Sequence, residues 1–332
     1  MKETSFKEVV TAEYNIFTKK YEELINKRFT QIKKNVAQKT FKTLLLDALW
    51  ISHCTYFDGL ELLDILIDDD NLADATQLSQ NFVGNITTLL TDKINNNQSF
   101  QNSFPKLLGF SSKGVGNGEF LLPLLIRGWE KEGDGKLNGK SVELKNFAGG
   151  SMKPVKGGAT TKGHIDVLNA KLFGGSFMVN SNGEKKIKEH GHPPFHSKDE
   201  HQKHLVVLNK IEDKKGVYLE YFSQILAKDK SEVNDLVDDL LLNIIDIDKC
   251  KRIYGEYVLK AYKEIDGFDI IMLINPEDGY MVSIADFDNV PTNVEFTAKM
   301  TRRLDTQATP DGYATIKVKK TPKPRAKKKK KK

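Results

Sequence analysis

"GDGKLNGKSVELKN", residues 133–146, is the stretch whose folding decides the rest of the chain. Asn138-Gly139 is a strong signal for a two-residue hairpin turn, because both central positions of such a turn need positive φ. A turn there places Leu137 opposite Lys140 and Asp134 opposite Glu143. Strand alternation then puts Lys145 on the face of Glu143, with Leu137, Val142 and Leu144 on the other. One face can seal a core, while the other gathers two carboxylates and an ammonium. Like charges opposed across strands repel, so a divalent cation is the expected compensator.

Working outward, "SSKGVGNGEFLLPLLIRGWE" (111–130) reads as a glycine loop and then a buried helix after Glu119, with Pro123 in its first turn. The first hundred residues read as helical. Phe17, Tyr21, Leu24, Phe29 and Ile32 recur at helical spacing, as do Phe41, Leu44, Leu45, Ala48 and Leu49, then Leu60, Leu63 and Ile67. The polar "NNNQSFQNS" (95–103) reads as a linker.

Downstream, residues 147–203 are rich in glycine, lysine and histidine and form an excursion from the core, with one strand at "SFMVN" (176–180). "HLVVLNKI" (204–211) reads as a buried strand. Val233, Leu236, Val237, Leu240, Leu241, Ile244 and Ile245 form an apolar helical stripe with Ser231 as N-cap. Tyr254, Tyr257, Val258 and Ala261 mark another helix. "FDIIMLINPEDGYMVSIADF" (268–287) reads as two strands around a turn. The order predicts an α/β core with a mixed sheet. The division expected is a helical region at 1–103, a core at 104–300 with an insertion at about 147–203, and a basic tail at 301–332.

The chain has 332 residues, 39% hydrophobic and 29% charged, enough for a buried core. No apolar run reaches membrane-spanning length and the N-terminus lacks a signal-peptide core, so a cytoplasmic protein without membrane contact is expected. Cys54 and Cys250 are the only cysteines, which excludes a disulfide framework and a cysteine-based zinc site. The net charge of +6 is uneven: Lys317–Lys332 holds eleven basic residues and no acidic one. Without them 40 basic face 45 acidic residues, about −5 for the rest. The ending "TPKPRAKKKKKK" is low-complexity and is expected to be disordered, its Lys323, Arg325 and Lys327 neutralising nucleic-acid phosphates.

Glu119 in "GNGEFLL", Asp134 in "GDGK", and Glu143 with Lys145 in "VELK" together resemble the PD-(D/E)xK nuclease superfamily, which includes type II restriction endonucleases. The likeness covers 110–150 in its motif residues, and reaches to 290 in strand and helix order alone. It departs at the residue before the aspartate, which is Gly133 here and proline in the family pattern. The resemblance implies a restriction-endonuclease-like core, a mixed central sheet flanked by helices. It also implies a Mg²⁺-dependent DNA endonuclease cutting double-stranded DNA, with Mn²⁺ as a substitute cation. Asp134 and Glu143 would then be metal ligands, joined by the Leu144 carbonyl. Lys145 would orient the attacking water or steady charge on the phosphate, and Glu119 would hold a second metal or its water.

Site-specific, restriction-type cleavage is the leading version of this reading, and cutting both strands calls for two sites, which a homodimer would supply. Nonspecific or structure-selective phage-type cleavage is the alternative, and so is a non-catalytic DNA-binding or packaging protein with a vestigial nuclease core. Lys153, Lys156 and Lys162, in the glycine-rich segment after "VELK", are expected to reach substrate phosphates. Six histidines, His164, His190, His192, His196, His201 and His204, invite a zinc reading by their spacing, against which stands a polar loop facing DNA. "GVGNGE" has Glu119 where a dinucleotide fingerprint needs its third glycine, which excludes nucleotide binding there.

Overall fold

The computed structural model describes residues 6–28, 35–56, 59–68, 72–111, 116, 118–126, 129, 134–153, 172–179, 181–183, 185–189, 194–299 and 313–319. Helices α1 (Phe6–Arg28), α2 (Asn35–Tyr56) and α3 (Gly59–Asp68) open the chain. The short α4 (Ala75–Leu78), strand β1 (Phe82–Asn85) and the short α5 (Asp92–Asn95) lead to α6 (Gln98–Leu108) and α7 (Leu121–Leu125). Then follow β2 (Gly135–Leu137), β3 (Lys140–Asn146), β4 (Gly150–Met152), β5 (Ser176–Val179) and β6 (Lys185–Glu189). Four helices come next: α8 (Lys198–Leu208), α9 (Lys214–Ile225), α10 (Asn234–Leu242) and α11 (Ile247–Asp266). Strands β7 (Ile270–Ile274), β8 (Tyr280–Ile284), β9 (Val294–Lys299) and β10 (Tyr313–Val318) complete the order.

The fold is α/β. A mixed five-stranded sheet runs β1-β8-β7-β3-β2, with β3 and β7 parallel and its other neighbours antiparallel. A parallel pair needs a crossover, and helices α8 to α11 lie within it in sequence. All five β7 residues are buried because both sheet faces are covered. Ile270, Met272 and Ile274 join the core built with α1 to α3, α6 and α7, whereas Ile271 and Leu273 join the core of α9 to α11. The same period of two splits β3: Val142 and Leu144 enter the first core, so Glu143 and Lys145 face the α11 layer.

Helix α11 is fastened at both ends. The Asp246 carboxylate accepts the Asp248 and Lys249 amides, and Gly267 closes the helix in the left-handed conformation at φ 72°. Beyond it, the Asp269 carboxylate accepts the Ser141 amide at 2.9 Å and Ser141 Oγ donates to the Gly267 carbonyl at 2.8 Å. These bonds tie the end of α11 to the start of the hairpin's second strand.

Several sequence expectations need correction. The polar run read as a linker forms the start of α6. Asn97 caps it by accepting the Phe100 amide, and Phe100, Phe104, Leu107 and Leu108 give it an apolar face in the first core. Residue 103 therefore lies inside a helix. "HLVVLNKI" is not a strand: its first five residues lie in α8, where Val206 is exposed. Ser231 does not cap α10, which begins at Asn234 after Val233 without a side-chain cap bond. Ile245, read as part of that helix's apolar stripe, is 82% exposed.

Part of the expected tail is ordered. Residues 313–318 form β10 between β4 and β9, with Ala314, Ile316 and Val318 buried on alternate positions. Phe29 and Ile32 fall outside the described residues.

Candidate active site

The hairpin forms as its turn chemistry requires. Asn138 and Gly139 have φ of 52° and 77°, the positive values of a two-residue turn. The ladder pairs Leu137 with Lys140, Lys136 with Ser141 and Gly135 with Val142. Asp134 sits one position before β2. Its Oδ2 accepts the Leu144 amide at 3.0 Å, extending the bonding between the strands beyond the last ladder pair by a side chain.

Across the face that meets α11, Glu143 and Lys145 are in contact, with Lys145 Nζ 2.6 Å from Glu143 Oε1. Their side chains keep only 20% and 18% of their exposure, so the pair is half-buried and weakly screened. A third group joins them. The Tyr262 hydroxyl, on α11, donates to Glu143 Oε1 at 2.7 Å and accepts from Lys145 Nζ at 2.9 Å. The Lys145 ammonium also lies 4.9 Å from the Tyr262 ring centre, within cation–π range. Burial, then the Glu143 bond and charge, then Asp266 raise the Tyr262 hydroxyl far above an ordinary phenol.

Beneath this cluster, Gly150 on β4 packs against the Lys145 stem, where a methyl group would meet Lys145 Cβ at 2.7 Å. The lysine is thus confined along its stem by backbone and at its head by a carboxylate and a phenol.

Glu119 is placed differently. It lies in the turn before α7 rather than on a helix, is 4% exposed, and its Oε1 accepts the Gly116 amide at 2.6 Å. Among the described residues no three His, Cys, Asp or Glu side chains group as a metal site, so Glu119 is not gathered with Asp134 and Glu143 into one.

Of the expected phosphate-reaching lysines, Lys153 is exposed just past β4. Lys156, Lys162, Lys323, Arg325 and Lys327 lie outside the described residues, as do His164, His190 and His192. His196 is exposed, but His201 and His204 are buried on α8 rather than set in a polar loop. His201 Nε2 donates to the Ile244 carbonyl at 2.7 Å, and His204 Nε2 lies 2.5 Å from the Tyr218 hydroxyl.

Sequence reasoning missed Tyr262 and Gly150. Tyr262 stands four residues after Val258, one helical turn along the buried stripe of α11, and that spacing is its only local signal. No helix among the described residues is long and apolar enough to cross a membrane. Comparison with known proteins finds no matching family model, no matching curated protein and no matching solved structure.

Proposed function

We propose that the chain is a Mg²⁺-dependent endonuclease that cuts double-stranded DNA, with Asp134, Glu143 and Lys145 as its catalytic centre. The observation that carries this reading is the contact between Glu143 and Lys145 on β3, with the Asp134 carboxylate bonded to the amide of Leu144 between them. An apolar underside of Val142 and Leu144 holds the strand that carries them.

The donor set fits the cation. Mg²⁺ takes hard oxygen ligands and binds through one or two carboxylates while keeping several waters, and Asp134 and Glu143 supply two such groups. When bound, it would supply a water of lowered pKa and neutralise charge on the phosphate. Lys145 carries the remaining work: its ammonium would orient the attacking oxygen and steady the charge gathering on the phosphate. Glu119, held by its own turn, is assigned an outer role toward a second cation or its water.

Restriction-type, site-specific cleavage is the version we favour. The small β4-β10-β9 sheet and the β5-β6 ribbon are separate from the central sheet in their hydrogen bonding and offer elements for base reading. Lys153 and the basic C-terminal run add phosphate contacts, and two copies would cut the two strands. Incubation of the full chain with supercoiled plasmid, in Mg²⁺ or in EDTA, tests this directly. Metal-dependent nicking or linearisation supports the reading and discrete fragments support site specificity; DNA retained uncut under both conditions supports a binding protein instead.

A further inference from the structure

Tyr262 is separated from Lys145 and Glu143 by 117 and 119 residues of sequence, yet its one oxygen touches both. A phenol has one proton to give and lone pairs with which to accept. Here the proton goes to Glu143 Oε1, and the oxygen receives an N–H from the Lys145 ammonium, so the three groups close a triangle. Two flexible side chains on one strand could pair in many geometries. A third, rigid partner from another element leaves them one.

The phenol is itself rigidly held. Tyr262 is 7% exposed and its ring packs against Phe268 at 5.2 Å between centres, with Phe268 in turn 5.9 Å from Phe287. Helix α11 cannot slide, because Gly255 brings its backbone against Phe296 of β9 and the Ser141 bonds fix its C-terminal end. The position of the hydroxyl is therefore set by the core, and through it the positions of the carboxylate and the ammonium.

We infer that Tyr262 is the positioning residue of this centre, its hydroxyl fixing Glu143 and Lys145 in one geometry. The inference rests on the nuclease reading above. Groups that orient a metal ligand from behind matter to turnover without touching substrate, and their loss typically costs about ten- to a hundredfold in activity or metal affinity. Tyr262 would act on kcat, where geometry is felt, and not on the affinity for DNA, which phosphate contacts dominate.

Tyr262→Phe removes the hydroxyl and keeps the ring. Steady-state cleavage of a duplex substrate in Mg²⁺ is measured for the wild type, Tyr262→Phe and Lys145→Ala, at temperatures where circular dichroism shows each fully folded. The inference expects kcat of Tyr262→Phe to fall about ten- to a hundredfold with KM within about twofold of wild type. It is overturned by a cleaving wild type whose Tyr262→Phe variant keeps its kcat, or loses only KM. A wild type without metal-dependent cleavage, no faster than Lys145→Ala, overturns the nuclease reading and this inference with it. The first result sinks the role of Tyr262 alone, so the two failures are told apart.

Discussion

Gly150 lies directly against Lys145: a methyl group at Gly150 would stand 2.7 Å from Lys145 Cβ and 2.9 Å from its Cγ and Cδ. Such approaches are far inside van der Waals contact, so even alanine must push the lysine stem aside. The Cβ cannot swing away as the tip of a long side chain could. Gly150→Ala should therefore move the ammonium away from Glu143 and Tyr262. Misplacing a reacting group by about 1 Å can cost on the order of a hundredfold in rate. The expected outcome is a kcat reduced about ten- to a hundredfold with a modest stability loss of about 1 kcal/mol, read by cleavage kinetics and urea unfolding.

A second close approach governs stability rather than chemistry. A methyl group at Gly255 would meet Phe296 Cγ at 2.1 Å and Cβ at 2.3 Å. Alanine gains about 1 kcal/mol of helix propensity over glycine, but overpacking a filled core costs about 1–3 kcal/mol and occasionally more. The clash should win because Phe296 is buried and anchored in β9. Gly255→Ala is expected to lower the urea midpoint; a raised midpoint would mean that α11 does not pack on β9 as described.

His201 gives the fold a pH dependence. Burial lowers its imidazole pKa below the ordinary 6.5, the Ile244 carbonyl opposes that shift, and Lys251 adds to it. Nε2 must carry the proton it gives to Ile244, and Nδ1 is buried with no hydrogen-bond partner among the described residues. The unfolded chain protonates this residue near pH 6.5 while the folded chain resists, so the unfolded state binds more protons as pH falls. The contribution is complete above about pH 7 and is lost progressively below about pH 6.5, until the folded imidazole also protonates. His201→Gln, which keeps a neutral donor, should lose less stability than wild type between pH 7.5 and 5.5. Equal losses in urea titrations would contradict the assignment.

The hairpin was legible in the sequence because its determinants are local. Asn138-Gly139 fixes the turn, the turn fixes the register, and a period of two then sorts Glu143 and Lys145 from Val142 and Leu144. The helical stripes of α1, α2, α3 and α11 were legible for the same reason. Tyr262 was not, since its contacts join residues more than a hundred positions apart. Helix α8 was misread from its Leu205-Val206-Val207 run. Its start was nonetheless written in Ser197, whose Oγ accepts the Glu200 amide, in the Ser-x-x-Glu spacing of a helix cap. Strand β10 was hidden by the lysines around it, although Ala314, Ile316 and Val318 alternate cleanly. Glu119 was found as a residue but not as a place: its carboxylate accepts an amide inside its own turn.

The account is tested most directly by plasmid cleavage with Lys145→Ala and Asp134→Ala beside wild type, in Mg²⁺ and in EDTA. Each variant must first show the wild-type circular dichroism spectrum. Loss of one catalytic group in a metal-dependent centre commonly lowers kcat about a hundredfold or more. The account predicts Mg²⁺-dependent cleavage by wild type, abolished by EDTA and reduced to that extent in both variants. Undiminished cleavage by the two folded variants would contradict it.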